Sequence, residues 1–335
     1  MIRFGVIGTN WITDRFLQSV KDMPDFSLTA VYSRTSDRAR EFAEKYQVHN
    51  IFTTIEEMAK SNQLDAVYIA SPNSFHASQA ITFLNHGKHV LCEKPLASNA
   101  AEVEKMIMAA NRNHVILMEA MRTIYLPNFT CIKDNLYKIG KVRRYVASYC
   151  QYSSRYDMYK AGTVLNAFNP FFSNGSLMDL GVYCIYPMVV LFGEPKEVKA
   201  TGVMLESGVD GEGSLLIKYD EMEAVIMHSK ITDSKLPSEI QGEEGTMIID
   251  HIATPKHVEI RYRDGRKEVI STKQEKDGMY YEARAFVDLI QKGKRESSIN
   301  SHEHSSVTAR ILDAARKEIG LIFPADREIN TPSDN

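Results

Sequence analysis

Up to Met118, short apolar runs alternate with amphipathic stretches, and no other feature narrows the possible folds as far. Residues 4–7, 27–32, 66–70, 89–92 and 115–118 read as strands. Between them, 11–20, 37–46, 75–86 and 100–113 carry apolar residues at helical spacing; Ala39, Phe42, Ala43 and Tyr46 fall on one side. Strands separated by helices cannot pair as hairpins. They must cross over and line up in parallel, with helices covering both faces.

After Pro127 the pattern changes. Residues 128–138 still look helical, but from Lys141 the runs 145–152, 197–205, 213–219, 224–231, 247–250 and 257–262 read as strands. Glycine-rich turns between them, at 208–213, 242–245 and Asp264-Gly265, suit antiparallel hairpins. Helices are expected at 175–192, 280–291 and 302–319. The expected fold is α/β: a doubly wound Rossmann sheet over residues 1–122, then an α+β domain with a largely antiparallel open sheet over 123–335. The C-terminal helices are free to pack back on the first domain.

The 335 residues, 44% hydrophobic and 25% charged, suit two ordinary soluble domains. A net charge of −3 without a basic stripe argues against nucleic acid. Apolar runs such as 188–192 are too short to cross a bilayer, so no membrane role is expected. Cys92, Cys131, Cys150 and Cys184 lie far apart, the pattern of reduced thiols in a cytoplasmic protein.

Ligands of a doubly wound sheet collect beyond the carboxyl ends of its strands. The first such turn, Gly8-Thr9-Asn10-Trp11-Ile12-Thr13, keeps only the first glycine of a dinucleotide fingerprint. Gly8 makes the turn, the helix start offers N–H groups to a pyrophosphate, and Asn10 tolerates the left-handed backbone in place of the second glycine. An ordinary strand–helix turn fits the turn equally well. The second strand ends in Ser33-Arg34 without a carboxylate, which suits a 2′-phosphate and points to NADP, with NAD as the alternative. Arg38 follows in the next helix. Ser71, Pro72, Asn73 and His76 stand where the nicotinamide half belongs, with His76 read as a first-turn residue rather than a catalytic one.

The fourth predicted strand delivers Glu93-Lys94-Pro95 to the same edge. A lysine fixed at a strand end by a proline beside a cationic nicotinamide is a usable acid or base, although a surface lysine in an X-Pro turn reads the same way. Gly8-x-Asn10, Ser71-Pro72-Asn73-x-x-His76, Glu93-Lys94-Pro95 and the segment from Gly175 to Tyr183 occur in that order. Together they resemble the glucose–fructose oxidoreductase, inositol dehydrogenase and MocA (Gfo/Idh/MocA) family, and within it the dimeric dihydrodiol dehydrogenase and xylose dehydrogenase branch.

The resemblance implies that Lys94 is catalytic, that Pro95 is cis, and that the second sheet forms a substrate wall and an oligomer interface. Asp179 and Tyr183, four apart on a predicted helix, project to one face. Tyr183 then exchanges a proton with the substrate oxygen, Lys94 assists, and Asp179 orients a hydroxyl. Two departures stand out. Asn10 and Thr13 replace small residues of the fingerprint, and Glu119-Ala120-Met121-Arg122 lacks the family's aromatic, leaving Arg122 to a cofactor phosphate, an acidic substrate or the surface. His302-Glu303-His304 diverge at a helix start, so no metal is expected.

The expected activity is hydride transfer between NAD(P) and a carbonyl or alcohol of a sugar, polyol or dihydrodiol, in a homodimer or higher homo-oligomer. A non-catalytic dinucleotide-binding regulator and an NAD-assisted glycoside cleaver are the rivals on the same fold.

Overall fold

The computed structural model describes residues 1–328, and they fall into two compact units. The first combines Met1–Arg122 with Lys276–Ser305; the second combines Thr123–Glu275 with the chain from Ser306 on.

The first unit is built on six parallel strands: β1 (Ile2–Ile7), β2 (Phe26–Tyr32), β3 (Asn50–Phe52), β4 (Ala66–Ile69), β5 (His89–Glu93) and β6 (Leu117–Ala120). They lie in the order β3-β2-β1-β4-β5-β6. The order of strand addition therefore reverses between β1 and β4, which opens a crevice at their carboxyl ends. Every residue of β4 is buried, as a strand covered on both faces requires. Phe16 on the helix Trp11–Val20 stacks on Tyr68 at 3.9 Å between ring centroids, and Phe4 on Phe26 at 4.5 Å. The helix Gly278–Gln291 adds Phe286 to this core, 5.9 Å from Phe4. Each such side chain contributes about 2–3 kcal/mol by leaving water.

The sixth strand begins two residues later than the apolar run 115–118 suggests. His114 ends the preceding helix in the left-handed conformation and the Val115 N–H donates to the Ala110 carbonyl, so the first apolar residue belongs to the helix exit.

The second unit holds an eight-stranded sheet: β7 (Val142–Cys150), β8 (Glu197–Met204), β9 (Asp210–Lys218), β10 (Glu223–Ser229), β11 (Ser238–Gly242), β12 (Gly245–Ile249), β13 (Val258–Tyr262) and β14 (Lys267–Val269). Its order is β14-β13-β12-β11-β7-β10-β9-β8. Neighbours are antiparallel except β7 and β10, which run parallel. The fold class is thus the one the alternation implied.

Against β7 lies the helix Val182–Phe192, tied by the Tyr145 hydroxyl donating to the Cys184 carbonyl at 2.9 Å. The helical stretch Pro170–Phe192 that contains it has the length to cross a membrane, and its most apolar 18-residue window has a mean hydropathy of 1.6, which the short runs in the sequence did not reveal. Of its most apolar window, 78% is buried in protein, the situation of a core helix.

Candidate active site

In the first unit, the residues singled out for a cofactor gather at the carboxyl ends of the strands. Gly8 follows β1 at φ +98°, and a Cβ there would stand 2.5 Å from the Ala70 carbonyl oxygen beyond β4. Only glycine lets the two loops approach so closely. Such a cradle suits a pyrophosphate laid across the β1 turn.

Asn10 does not take the left-handed conformation expected of it. At φ −121° and ψ 177° it is extended and caps the following helix, its Oδ1 accepting from the Ile12 and Thr13 N–H groups at 3.0 and 3.4 Å. Its Nδ2 donates to the Ala70 carbonyl at 2.8 Å, and the buried Thr13 hydroxyl donates to the Gly8 carbonyl at 2.6 Å. The altered fingerprint therefore closes the turn with side chains where glycines would leave it bare. Trp11, 61% exposed, stands at the helix start. The Arg38 guanidinium donates to the Thr9 carbonyl and hydroxyl and pairs with Glu41, whereas Arg34 projects from the end of β2 and is exposed.

Beyond β4, the buried His76 turns both ring nitrogens onto backbone carbonyls, Nδ1 to Pro95 at 3.0 Å and Nε2 to Ser71 at 2.9 Å. Burial holds its pKa below the usual histidine value, against the pull of those two carbonyls. His76 thus supports the backbone on either side and has no ring nitrogen left for a cofactor.

Lys94, half-buried, follows β5 directly, and its bond to Pro95 is cis, as the resemblance implied. Glu93 beside it accepts from the Tyr68 hydroxyl at 2.5 Å and from the Lys94 N–H at 3.3 Å. Burial raises the Glu93 carboxyl; the Tyr68 hydroxyl and the charges of Lys94 and Arg122 oppose it. The loop is fixed further along by Glu119, whose carboxylate accepts from the Leu96 N–H at 3.1 Å and the Ser305 hydroxyl at 2.7 Å. Burial lifts Glu119 to about 7. Glu282, fully buried, has neither oxygen hydrogen-bonded; burial and the nearby Glu93 push it well above the usual carboxylate range, while Arg122 draws it down. Arg122 is half-buried within this acidic group rather than on the surface.

In the second unit, the helix expected over 175–192 begins as a π-helical turn, Leu177–Gly181, and becomes α-helical from Val182. Such turns are frequent at functional sites. Gly175, at φ +141°, admits Asp210 so closely that a Cβ would collide with its Oδ1. The Asp210 Oδ2 accepts from the Leu177 N–H at 2.7 Å, and the His228 Nδ1 lies 2.9 Å from the Ser176 hydroxyl. Burial lifts Asp210 to about 6 and lowers His228 to about 3, so this histidine is neutral near pH 7.

Above that anchor, Asp179 pairs with Lys230 at 2.9 Å, and Tyr183 packs on Tyr149 at 5.7 Å between ring centroids. Lys230, Asp210 and His228 escaped the sequence reading, because strand alternation carries no sign that a polar residue is buried. His302 and His304, passed over as metal ligands, each place a ring nitrogen on a backbone carbonyl, of Leu117 and Ile299.

Comparison with known proteins extends this picture. Residues 2–121 match the model of an oxidoreductase family with an NAD-binding Rossmann fold, and residues 137–248 match a GFO/IDH/MocA C-terminal domain. The scyllo-inositol 2-dehydrogenase (NADP(+)) IolU of Bacillus subtilis is 62% identical over 98% of this chain and 100% of its own. The trans-1,2-dihydrobenzene-1,2-diol dehydrogenase of Danio rerio is 30% identical over 98% of this chain and 99% of its own. Among solved structures, the 3-ketoreductase KijD10 of Actinomadura kijaniata, in complex with NADP and TDP-benzene, superposes with a TM-score of 0.84 at 25% identity, covering 95% of this chain and 98% of its own.

Proposed function

The chain belongs to the Gfo/Idh/MocA family of oxidoreductases, and on that premise we propose that it is an NADP-dependent dehydrogenase of a cyclic polyol, interconverting a ring hydroxyl and a ketone. The observation that carries this reading is the 62% identity, end to end, with a scyllo-inositol 2-dehydrogenase (NADP(+)). It favours catalysis over a regulator on the same fold.

When bound, the dinucleotide supplies or removes the hydride at the substrate carbon. Gly8, Thr9, Asn10, Trp11 and Ile12 would hold the pyrophosphate, a role that the close backbone approach at Gly8 supports. Ser33, Arg34 and Arg38 serve the adenosine end, with the exposed Arg34 guanidinium matched to a 2′-phosphate. Ser71, Pro72, Asn73, Glu93, Lys94 and Arg122 serve the nicotinamide half, and His76 acts on their backbone. Tyr183 exchanges the proton of the reacting hydroxyl, the Lys94 ammonium stabilises developing alkoxide charge, and Asp179 accepts a hydrogen bond from a neighbouring hydroxyl.

We further assign a homodimer through the open face of the second sheet, and a cytoplasmic setting that suits four free thiols. The test of function mixes the protein with NADP and a panel of cyclitols and sugars that includes scyllo-inositol, and follows the absorbance of the reduced cofactor. Oxidation of a cyclitol, lost by about a hundredfold or more in Lys94→Met, is expected. Dinucleotide binding without turnover across the panel would return the reading to a regulator.

A further inference from the structure

Lys230 is 3% exposed, an unusual place for an ammonium group. Its Nζ lies 2.9 Å from the Asp179 Oδ2, 3.1 Å from the Ala167 carbonyl oxygen, and 5.2 Å from the centre of the Phe168 ring. Taking a cation out of water is costly unless neighbours replace its hydration, and a carboxylate, a carbonyl and an aromatic face do so here. The pair is lopsided: the Asp179 side chain remains 37% exposed while its partner is sunk. The exposed carboxylate keeps much of its hydration and stays within reach of a hydroxylated ligand, while the ammonium is held in place by protein alone. The Asp179 carboxylate thus remains partly exposed while Lys230 fixes its Oδ2.

The same strand pair holds the backbone beneath. Asp210 opens β9 and takes the Leu177 N–H; Lys230 follows β10, and its own N–H donates to the Gly211 carbonyl at 2.8 Å. The turn that carries Asp179 is therefore fixed twice, through its main chain by Asp210 and through its side chain by Lys230.

We propose that Lys230 is a positioning residue for the reaction: it locks the Asp179 carboxylate in the orientation that accepts a hydroxyl of the polyol substrate. The proposal rests on the dehydrogenase reading and on the role given there to Asp179. A carboxylate so held accepts hydrogen bonds only, and its direction rather than its mere presence selects the hydroxyl.

Steady-state kinetics with scyllo-inositol and NADP test it in the wild type, Lys230→Met, Lys230→Gln, Lys230→Arg, Asp179→Asn and the double variant Asp179→Asn/Lys230→Met. The neutral replacements should raise the KM for scyllo-inositol about tenfold and change kcat by less than about threefold, with the KM for NADP within about twofold of wild type. Lys230→Arg, which keeps the charge, should stay within about threefold of wild type. Adding Lys230→Met to Asp179→Asn should cost nothing further. If Lys230→Met does not fold, Lys230→Gln, one atom shorter but still carrying a hydrogen-bond donor, carries the comparison.

Three results overturn the proposal: a polyol KM within about twofold of wild type in both neutral variants, equal losses across kcat and both KM values, or additive effects in the double variant. An active wild type with indifferent Lys230 variants defeats this proposal alone. A wild type that oxidises no cyclitol defeats the functional reading, and this proposal with it.

Discussion

At Gly175 the backbone sits at φ +141° with the Asp210 carboxylate pressed against it, so both conformation and space exclude a side chain. Gly175→Ala should cost about 3 kcal/mol, read as a lower urea midpoint; an unchanged midpoint would mean that the turn relaxes freely. Glu119 offers a test by pH. Its folded pKa of about 7 stands above its ordinary 4.5, so its contribution is full below 4.5 and is lost as pH rises through about 7. The stability of the wild type relative to Glu119→Gln should therefore fall by about 3 kcal/mol across that window. Denaturation profiles that stay parallel with pH would refute it. Neither residue's partner is a sequence neighbour: Asp210 lies beyond a helix and a strand from Gly175, and Ser305 far beyond Glu119. Lys94 and Asp179 could be singled out because motif spacing survives in one dimension. What holds them could not.

Among elements, legibility followed length and pattern. The helices Trp11–Val20 and Ala100–Asn113 end where their apolar periodicity ends, since each buries one regular stripe. The edge strand Asn50–Phe52 is three residues long, and Ser238–Gly242 has one aliphatic side chain, Ile240, in the middle of the sheet. Neither offers an alternation to read. The parallel pairing of β7 and β10 was equally invisible, because hairpin signals speak only of consecutive strands. At the turn after β1, Asn10 proved to be a helix cap instead of a glycine substitute. Asn10→Ala should cost about 1 kcal/mol in stability, and Asn10→Asp, which keeps the acceptor, less. Thermal melts of the two variants decide; equal losses would shift the weight to the Nδ2 bond with Ala70.

For the whole molecule, the open sheet face carries the prediction. In register across it stand Leu216, Val225 and Val146, with Leu216 61% exposed. Placing a carboxylate there with Leu216→Glu should convert a species of twice the chain mass into single chains in sedimentation, because a desolvated charge at a dimer face costs several times thermal energy. A wild type that sediments as single chains would remove the dimer.

The first unit is stitched from two stretches of sequence, and that bears on how the protein can be made. A nascent chain that has reached Arg122 owns all six parallel strands, yet it lacks Phe286 for the core and Ser305 for the Glu119 carboxylate. The ribosome must first deliver the whole of Thr123–Glu275. The N-terminal sheet therefore waits, incompletely covered, through most of synthesis, and cutting the gene after the sixth strand would yield a fragment with an exposed apolar face instead of a portable cofactor-binding domain.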